Sequence, residues 1–220
     1  TRWVDATTNL AKSVEMTARF VGNAADRDGE GFDYLKELIQ NVRVYMDSVA
    51  RNADPQDGEK ALRLITRVAC NEDFQLNATQ MVELLSCGLS FAQWDDTRMF
   101  AYDALNSALD TMDRFAKEAK IDEDGRCDGE TAHDDGVIAA EAATGSTADA
   151  SELIKRTVAL SAHQQFEESI MFLRHDLMRV SGDAADADRF LVSHHESEAM
   201  ADAYAARLIA AERWDELIGF

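Results

Sequence analysis

The chain has 220 residues, 46% of them apolar, and a formal charge of −20 from 42 acidic and 22 basic residues. That balance argues against nucleic-acid binding by this segment, because phosphate contacts need clustered Lys and Arg; the preferred reading is a well-solvated surface, and a docking surface for a basic partner is the alternative. No apolar run approaches the roughly 20 residues of a membrane span, and no signal peptide opens the sequence.

The length suits one large domain or two small ones, enough to bury roughly 70% of the surface an unfolded chain exposes. There is one proline, and Ala, Leu, Glu, Asp and Arg recur throughout, which favours helices over strands. No window alternates Val, Ile and Thr with period two, so no sheet is expected. Cys70, Cys87 and Cys127 are far apart and form no C-x-x-C pair, which fits a reduced, cytoplasmic setting. The sequence opens without Met and stops within "RWDELIGF", which reads as the first turn of a further helix and suggests a fragment of a longer protein.

The first helix is expected from about Trp3 to Val21. An acidic turn, "DRDGEGFDYLKE", then runs from Asp26 to Glu37. It comes close to the calcium-loop pattern D-x-[DN]-x-[DN]-G-x5-E, with Asp26, Asp28 and Glu30 at positions one, three and five, Gly31 at six and Glu37 at twelve. Two features oppose a calcium loop. Position five is Glu rather than Asp or Asn, and position eight is Asp33, where paired loops place an apolar residue. The one second-loop candidate, "DEDGRCDGE" at Asp122–Glu130, has Arg126 and Cys127 where an oxygen ligand and Gly are needed. A helix starting near Phe32 needs no metal and places Asp33 in its first turn, where the helix dipole favours acids. An acidic helix–helix turn is therefore the preferred reading. A calcium-responsive protein using Asp26, Asp28, Glu30 and Glu37 is the alternative.

The second helix carries Phe32, Leu35, Ile39, Val42, Met46 and Val49, spaced alternately by three and four so that they form one stripe. Asp54 before Pro55 is a start signal for a third helix, bearing Leu62, Ile65 and Val68. Asn77 and Gln80 resemble a capping box before a fourth helix with Met81, Leu84, Leu85 and Leu89. After the turn "QWDD", a fifth helix runs through Tyr102, Leu105, Leu109, Met112 and Ala116.

From Lys120 to Ala150 the sequence is rich in Asp, Glu and Gly and poor in large apolar residues. Such a stretch cannot bury enough surface to offset its ordering entropy, so a mobile connection is expected, with one weak helix near Val137–Ala143. Helix resumes near Asp149 with Ile154, Val158, Phe166, Ile170, Leu173, Leu177 and Val180, and Ser161–Gln164 leaves open whether this is one helix or two. Ser181-Gly182 ends it, and Asp183 caps a short helix that stops near His194-His195. A further helix carries Met200, Tyr204, Leu208 and Ala211. The expected organisation is a helical segment over 1–119 (about five helices), a connection over 120–150 and a helical-repeat segment over 151–220.

The fold class is all-α, built of antiparallel helix pairs as an α-solenoid or an irregular bundle. An internal echo favours the solenoid: "LLSCGLSFAQWDD" and "ARLIAAERWDE" both end a helix with Trp and acids, Trp94-Asp95-Asp96 and Trp214-Asp215-Glu216. An aromatic wedge and a carboxylate cap would serve each turn.

Chemistry-bearing patterns are sparse. His194-His195 with Glu196 and Glu198 is a metal candidate, but adjacent helical residues point about 100° apart, so a polar helix end is preferred. Glu130 and His133 form one E-x-x-H, where a carboxylate-bridged di-iron site needs two on packed helices. His163 and Glu167 share a helix face in the ordinary way of neighbours four apart. No G-x-S-x-G, phosphate-binding Gly loop or locally supported Cys–His pair occurs. No catalytic residue and no cofactor is expected, and the chain does not read as an enzyme.

The stretch "AADRDGEGFDYLKELIQNVRVYMDSVARNADPQDGEKALRLITRV", with the later "RVSGDAADADRFLVSH" and "YAARLIAAERWDELI", resembles the helical region that follows the zinc finger in bacterial SWIM zinc-finger proteins, and related helical domains of unknown function. Asp26, Asp28, Gly29 and Glu30 occupy the acidic turn of that pattern, and Asp54-Pro55 its later helix start. The resemblance implies a tetratricopeptide-like α-solenoid and no catalytic residues. The zinc finger's own Cys/His pattern is absent. The function expected is thus a non-catalytic helical module that binds another protein or another domain of its own chain.

Overall fold

The computed structural model describes residues 2–23, 29–74, 77–124 and 147–220, with the side chains of 23 and 118–162 excepted. Among these residues the regular structure is entirely helical. The α-helices are α1 (Arg2–Asn23), α2 (Glu30–Asn52), α3 (Pro55–Ala69), α4 (Ala78–Leu85), α5 (Asp95–Asp124), α6 (Thr147–Val180), α7 (Ala184–Ser193), α8 (Glu198–Ala210) and α9 (Trp214–Gly219). Short 3-10 segments, Glu72–Phe74 and Ser86–Phe91, flank α4.

The apolar stripe of α2 is buried as its spacing predicts: Leu35, Ile39, Val42, Met46 and Val49 are inaccessible to solvent. Each contributes about 1.5–3 kcal/mol relative to exposure. Gly29, at φ 72°, precedes the helix, and its carbonyl accepts from the Asp33 N–H. The Asp54 carboxylate accepts from the Asp57 N–H at 3.0 Å, with Pro55 at the first helical position of α3. That is the predicted cap, worth about 1 kcal/mol.

Two expectations near α4 are corrected. Asn77 stands at the N-cap, but its side chain accepts no capping hydrogen bond, and Gln80 is 3% exposed. The reciprocal capping box is therefore not formed. The helix also ends at Leu85 instead of continuing through Leu89. Leu85, Gly88 and Phe91 are buried at intervals of three, the 3-10 period, while Leu89 is only half-buried. The tighter winding brings Gly88 against α5, where a Cβ would lie 3.0 Å from Ala101 Cβ.

α1 packs on α2 and α3, α3 on α4 and α5, and α6 on α4, α5 and the 3-10 segment 86–91. Phe166, Ile170, Leu173 and Leu177 of α6 lie in the same core as Val14, Ile39, Leu62, Met81 and Met112. Arg174 of α6 donates to Asn106 of α5, and Ser90 donates to Asp47 of α2. Helix reaches Asp124 on one side of the expected connection and resumes at Thr147 on the other, so the rest of it, including Val137–Ala143, lies outside the described residues. α6 passes through Ser161–Gln164 unbroken, as one helix of 34 residues.

α6 stops where predicted. Gly182, at φ 91°, lets its own N–H reach Arg179 O (3.2 Å) and the Asp183 N–H reach Met178 O (3.1 Å), a Schellman closure. Asp183 then accepts from the Asp186 N–H at 3.3 Å, as its predicted capping role requires. From here α7 packs on α6, α8 on α7 and α9 on α8, around a second small core of Leu191, Met200, Tyr204 and Leu208. The molecule is an irregular helical bundle over α1–α6 that continues as a stepwise stack over α6–α9.

The two Trp turns are not equivalent. Trp94 is half-buried with its ring 6.3 Å from that of Phe91, whereas Trp214 is 53% exposed. Neither helix has a carboxylate at its cap: α5 begins at Asp95 itself, and Arg213 precedes α9 with no side-chain capping bond. Among the described residues, no helix is long and apolar enough to cross a membrane.

Candidate functional site

The acidic turn divides between the described and undescribed parts of the chain. Asp26 and Asp28 lie outside the described residues. Glu30 is the first residue of α2, and Glu37 lies seven residues further along the same helix, both exposed. At 1.5 Å per residue they are offset by about 10 Å along the axis. In a calcium loop, positions five and twelve close on one ion; here these two carboxylates do not converge. Glu130, His133 and Cys127 also lie outside the described residues.

The His pair ends α7. His194 is the C-cap, with its Nδ1 2.8 Å from Phe190 O, and His195 Nδ1 lies 2.8 Å from Val192 O. Each imidazole is used on a different carbonyl of its own helix end, which is the polar helix terminus expected from the sequence.

One cluster was only half legible. His163 and Glu167 share a face of α6, and the fold adds Asp113 from α5. His163 Nε2 is 2.7 Å from Asp113 Oδ1, and His163 Nδ1 is 3.7 Å from Glu167 Oε2. The shorter contact is a hydrogen bond that already occupies Nε2. With a carboxylate at either nitrogen, the imidazole acts as a clamp between α5 and α6. Among the described residues no hydroxyl or thiol is hydrogen-bonded to it, so no activated nucleophile is assembled. Asp113 carries no sequence signal, since its partner lies 50 positions away.

Cys70 and Cys87 are equally unsuited to nucleophilic chemistry. Burial pushes the Cys87 thiol up to about 12 and the Cys70 thiol up to about 11. Both are free thiols. A reactive cysteine needs the opposite shift.

The surface is more informative at the C-terminal step. Trp214 and Ile218 stand one turn apart on α9, 53% and 85% exposed, and Ile209 of α8 is 48% exposed. Acidic Glu212, Asp215 and Glu216 are interspersed with them. Ion pairs link the step. Asp188 of α7 meets Arg207 Nε of α8 at 2.6 Å and Arg213 Nη1 at 3.8 Å, and Arg213 Nε donates to Glu216 Oε1 of α9 at 2.7 Å. Phe220 packs edge-on against Tyr204, 4.9 Å between centroids. The result is a helix pair, linked by ion pairs, that leaves Ile209, Trp214 and Ile218 exposed beside acidic neighbours.

Elsewhere, Lys60, Arg63 and Arg67 line grooves of about 510 and 390 Å³ along α3. Arg63 is held by Glu59 at 2.7 Å and lies over the Phe100 ring at 4.2 Å. These groups are exposed and partly paired.

Comparison with protein-family models, curated proteins and solved structures found no match to this chain.

Proposed function

We propose that this chain is a non-catalytic helical docking module, whose partner is a basic segment of another protein or of another domain of the same polypeptide. The observation that carries the reading is the C-terminal step: Trp214 and Ile218 exposed one turn apart on α9, and Ile209 exposed on α8, on helices linked by the Asp188–Arg207–Arg213–Glu216 ion pairs. Large apolar side chains left exposed among acidic ones are what a protein partner covers. The stepwise packing of α6–α9 is the geometry by which helical stacks offer extended surfaces. The net charge of −20 would steer a basic partner and set its encounter rate, with the exposed apolar side chains setting affinity. The resemblance to the helical region of SWIM zinc-finger proteins points the same way, because that pattern carries no catalytic residues. The free thiols of Cys70 and Cys87 are in keeping with a cytoplasmic setting.

The test is affinity capture from extract of the source cells, run with and without nuclease and with the Trp214→Ser/Ile218→Ser double variant in parallel. The reading expects a protein retained by the unaltered chain and lost from the variant. Retention of nucleic acid alone, or turnover of a small-molecule substrate by the purified chain, would overturn it.

A further inference from the structure

Acids outnumber bases by 42 to 22 over the whole chain, but the balance reverses along α3. Lys60, Arg63 and Arg67 are exposed and line the groove of about 390 Å³ that Val4 and Thr8 of α1 and Leu64 of α3 complete. Among its described lining residues stand three cations and no acid. The neighbouring groove of about 510 Å³ shares Arg63 and Arg67 and adds a single acid, Asp103. Arg63 is oriented by its neighbours, with Glu59 at 2.7 Å from Nη2 and the Phe100 ring 4.2 Å from the guanidinium carbon. The half-buried Val4 and Leu64 give the smaller groove an apolar component beside these charges.

We infer that this groove receives α9 of a second copy of the chain, so that copies associate head to tail. The inference takes from the docking reading only that α9 is a docking edge. That edge has the matching chemistry with the opposite sign. Trp214 and Ile218 are 53% and 85% exposed one turn apart, and the exposed acids Glu212, Asp215 and Glu216 flank them. Trp214 and Ile218 would meet Val4 and Leu64, while the carboxylates face Lys60 and Arg67. An indole also takes a cation on its ring face, and the groove has room for one large side chain. Exposed ion pairs are individually weak, so the apolar anchors set the affinity and the charges select the surface. The stack favours the same arrangement: α7, α8 and α9 each pack on the helix before, and a helix pair of the next copy continues that progression. Groove and edge are unlike surfaces, so the contact is heterologous and does not close as a two-fold dimer does. Two chains of charge −20 repel as wholes, but that repulsion is screened beyond about 8 Å at physiological salt, whereas pairs in contact persist.

Sedimentation equilibrium of the full chain at physiological salt, from micromolar to near-millimolar concentration, tests the assignment. The average mass is expected to rise with concentration past that of a dimer. Lys60→Glu/Arg67→Glu removes the groove and Trp214→Ser/Ile218→Ser removes the edge, each weakening association at least tenfold. Mixed in equal amounts, the two variants supply one intact groove and one intact edge, so they pair and stop at heterodimers. Lys36→Glu/Arg51→Glu changes the net charge equally at exposed positions of α2 and should associate as the unaltered chain does. An unaltered chain that stays monomeric, a loss in the α2 control as large as in the groove variant, or a mixture that fails to pair would each overturn the inference. Circular dichroism checks each fold, and Lys60→Ala/Arg67→Ala replaces the charge reversal should that fold poorly. Capture of an acidic protein through the groove by a monomeric chain gives the groove another occupant and also overturns it. The docking reading is judged apart. A captured partner lost from the α9 variant, with the unaltered chain monomeric, leaves that reading standing and removes this one. Head-to-tail association with no captured partner does the reverse.

Discussion

Replacing Phe166 by Ala tests whether α6 shares one core with α1–α5. Phe166 is 1% exposed and lies in the cluster that includes Leu35, Leu62 and Met112. Fully buried Phe→Ala changes cost about 3–5 kcal/mol. The void here would open on a cleft that Phe166 also lines, so water can enter it, and the lower figure, about 3 kcal/mol, is expected. For a chain of this length that corresponds to a fall in Tm of about 6–12 °C. Urea and thermal unfolding followed by circular dichroism and by Trp fluorescence would measure it, with exposed Ile218→Ala as a control expected within about 0.5 kcal/mol. If the core is shared, the whole transition shifts as one. A loss below about 1 kcal/mol, or a split in which the signal from Trp3 and Trp94 keeps its original midpoint, would refute the reasoning.

Three further outcomes follow from the packing and the titration behaviour. Gly88→Ala should cost about 1–3 kcal/mol, because the new Cβ meets Ala101 Cβ at 3.0 Å and the backbone must shift; a stable variant by urea denaturation would contradict the close crossing. Cys70 and Cys87, with thiols raised by burial from 9.0 to about 11 and 12, should resist iodoacetamide at pH 8 in the native protein, as read by peptide mass mapping. The stability held by these thiols is full below pH 9 and is lost as the pH rises toward 11–12, so an alkaline fall in Tm is expected there and rapid native alkylation would contradict it. Millimolar calcium should leave Tm unchanged, whereas a micromolar site would add about 4 kcal/mol; a large rise abolished by Asp26→Ala would restore the calcium alternative.

The elements that were legible in the sequence are those fixed by local chemistry. The α2 stripe, the Asp54-Pro55 start and the Ser181-Gly182 stop each depend on residues within a turn or two of one another. The misreadings share the opposite property. Asn77 and Gln80 have the composition of a cap, but tertiary burial takes their side chains, and local propensity loses. Gly88 reads as an ordinary helix residue until Ala101 arrives from α5 to require its missing Cβ. Trp94 and Trp214 sit in similar strings, yet one has Phe91 and the bundle core beside it and the other has solvent. Asp113 joins His163 only because α5 and α6 are packed together. The exposed residues of α9 were invisible for a related reason: Trp214 and Ile218 read as helix residues, and only the fold leaves them uncovered.

The most direct test of the docking account is the dissociation rate of the captured protein partner from the unaltered chain and from Trp214→Ala, each at low and moderate salt. Apolar anchors govern dissociation, and long-range charge governs association, screened beyond about 8 Å at physiological ionic strength. The account predicts at least tenfold faster dissociation for Trp214→Ala at both salt concentrations, with association slowing as salt rises for both proteins. Dissociation unchanged by Trp214→Ala, with association insensitive to salt, would contradict it.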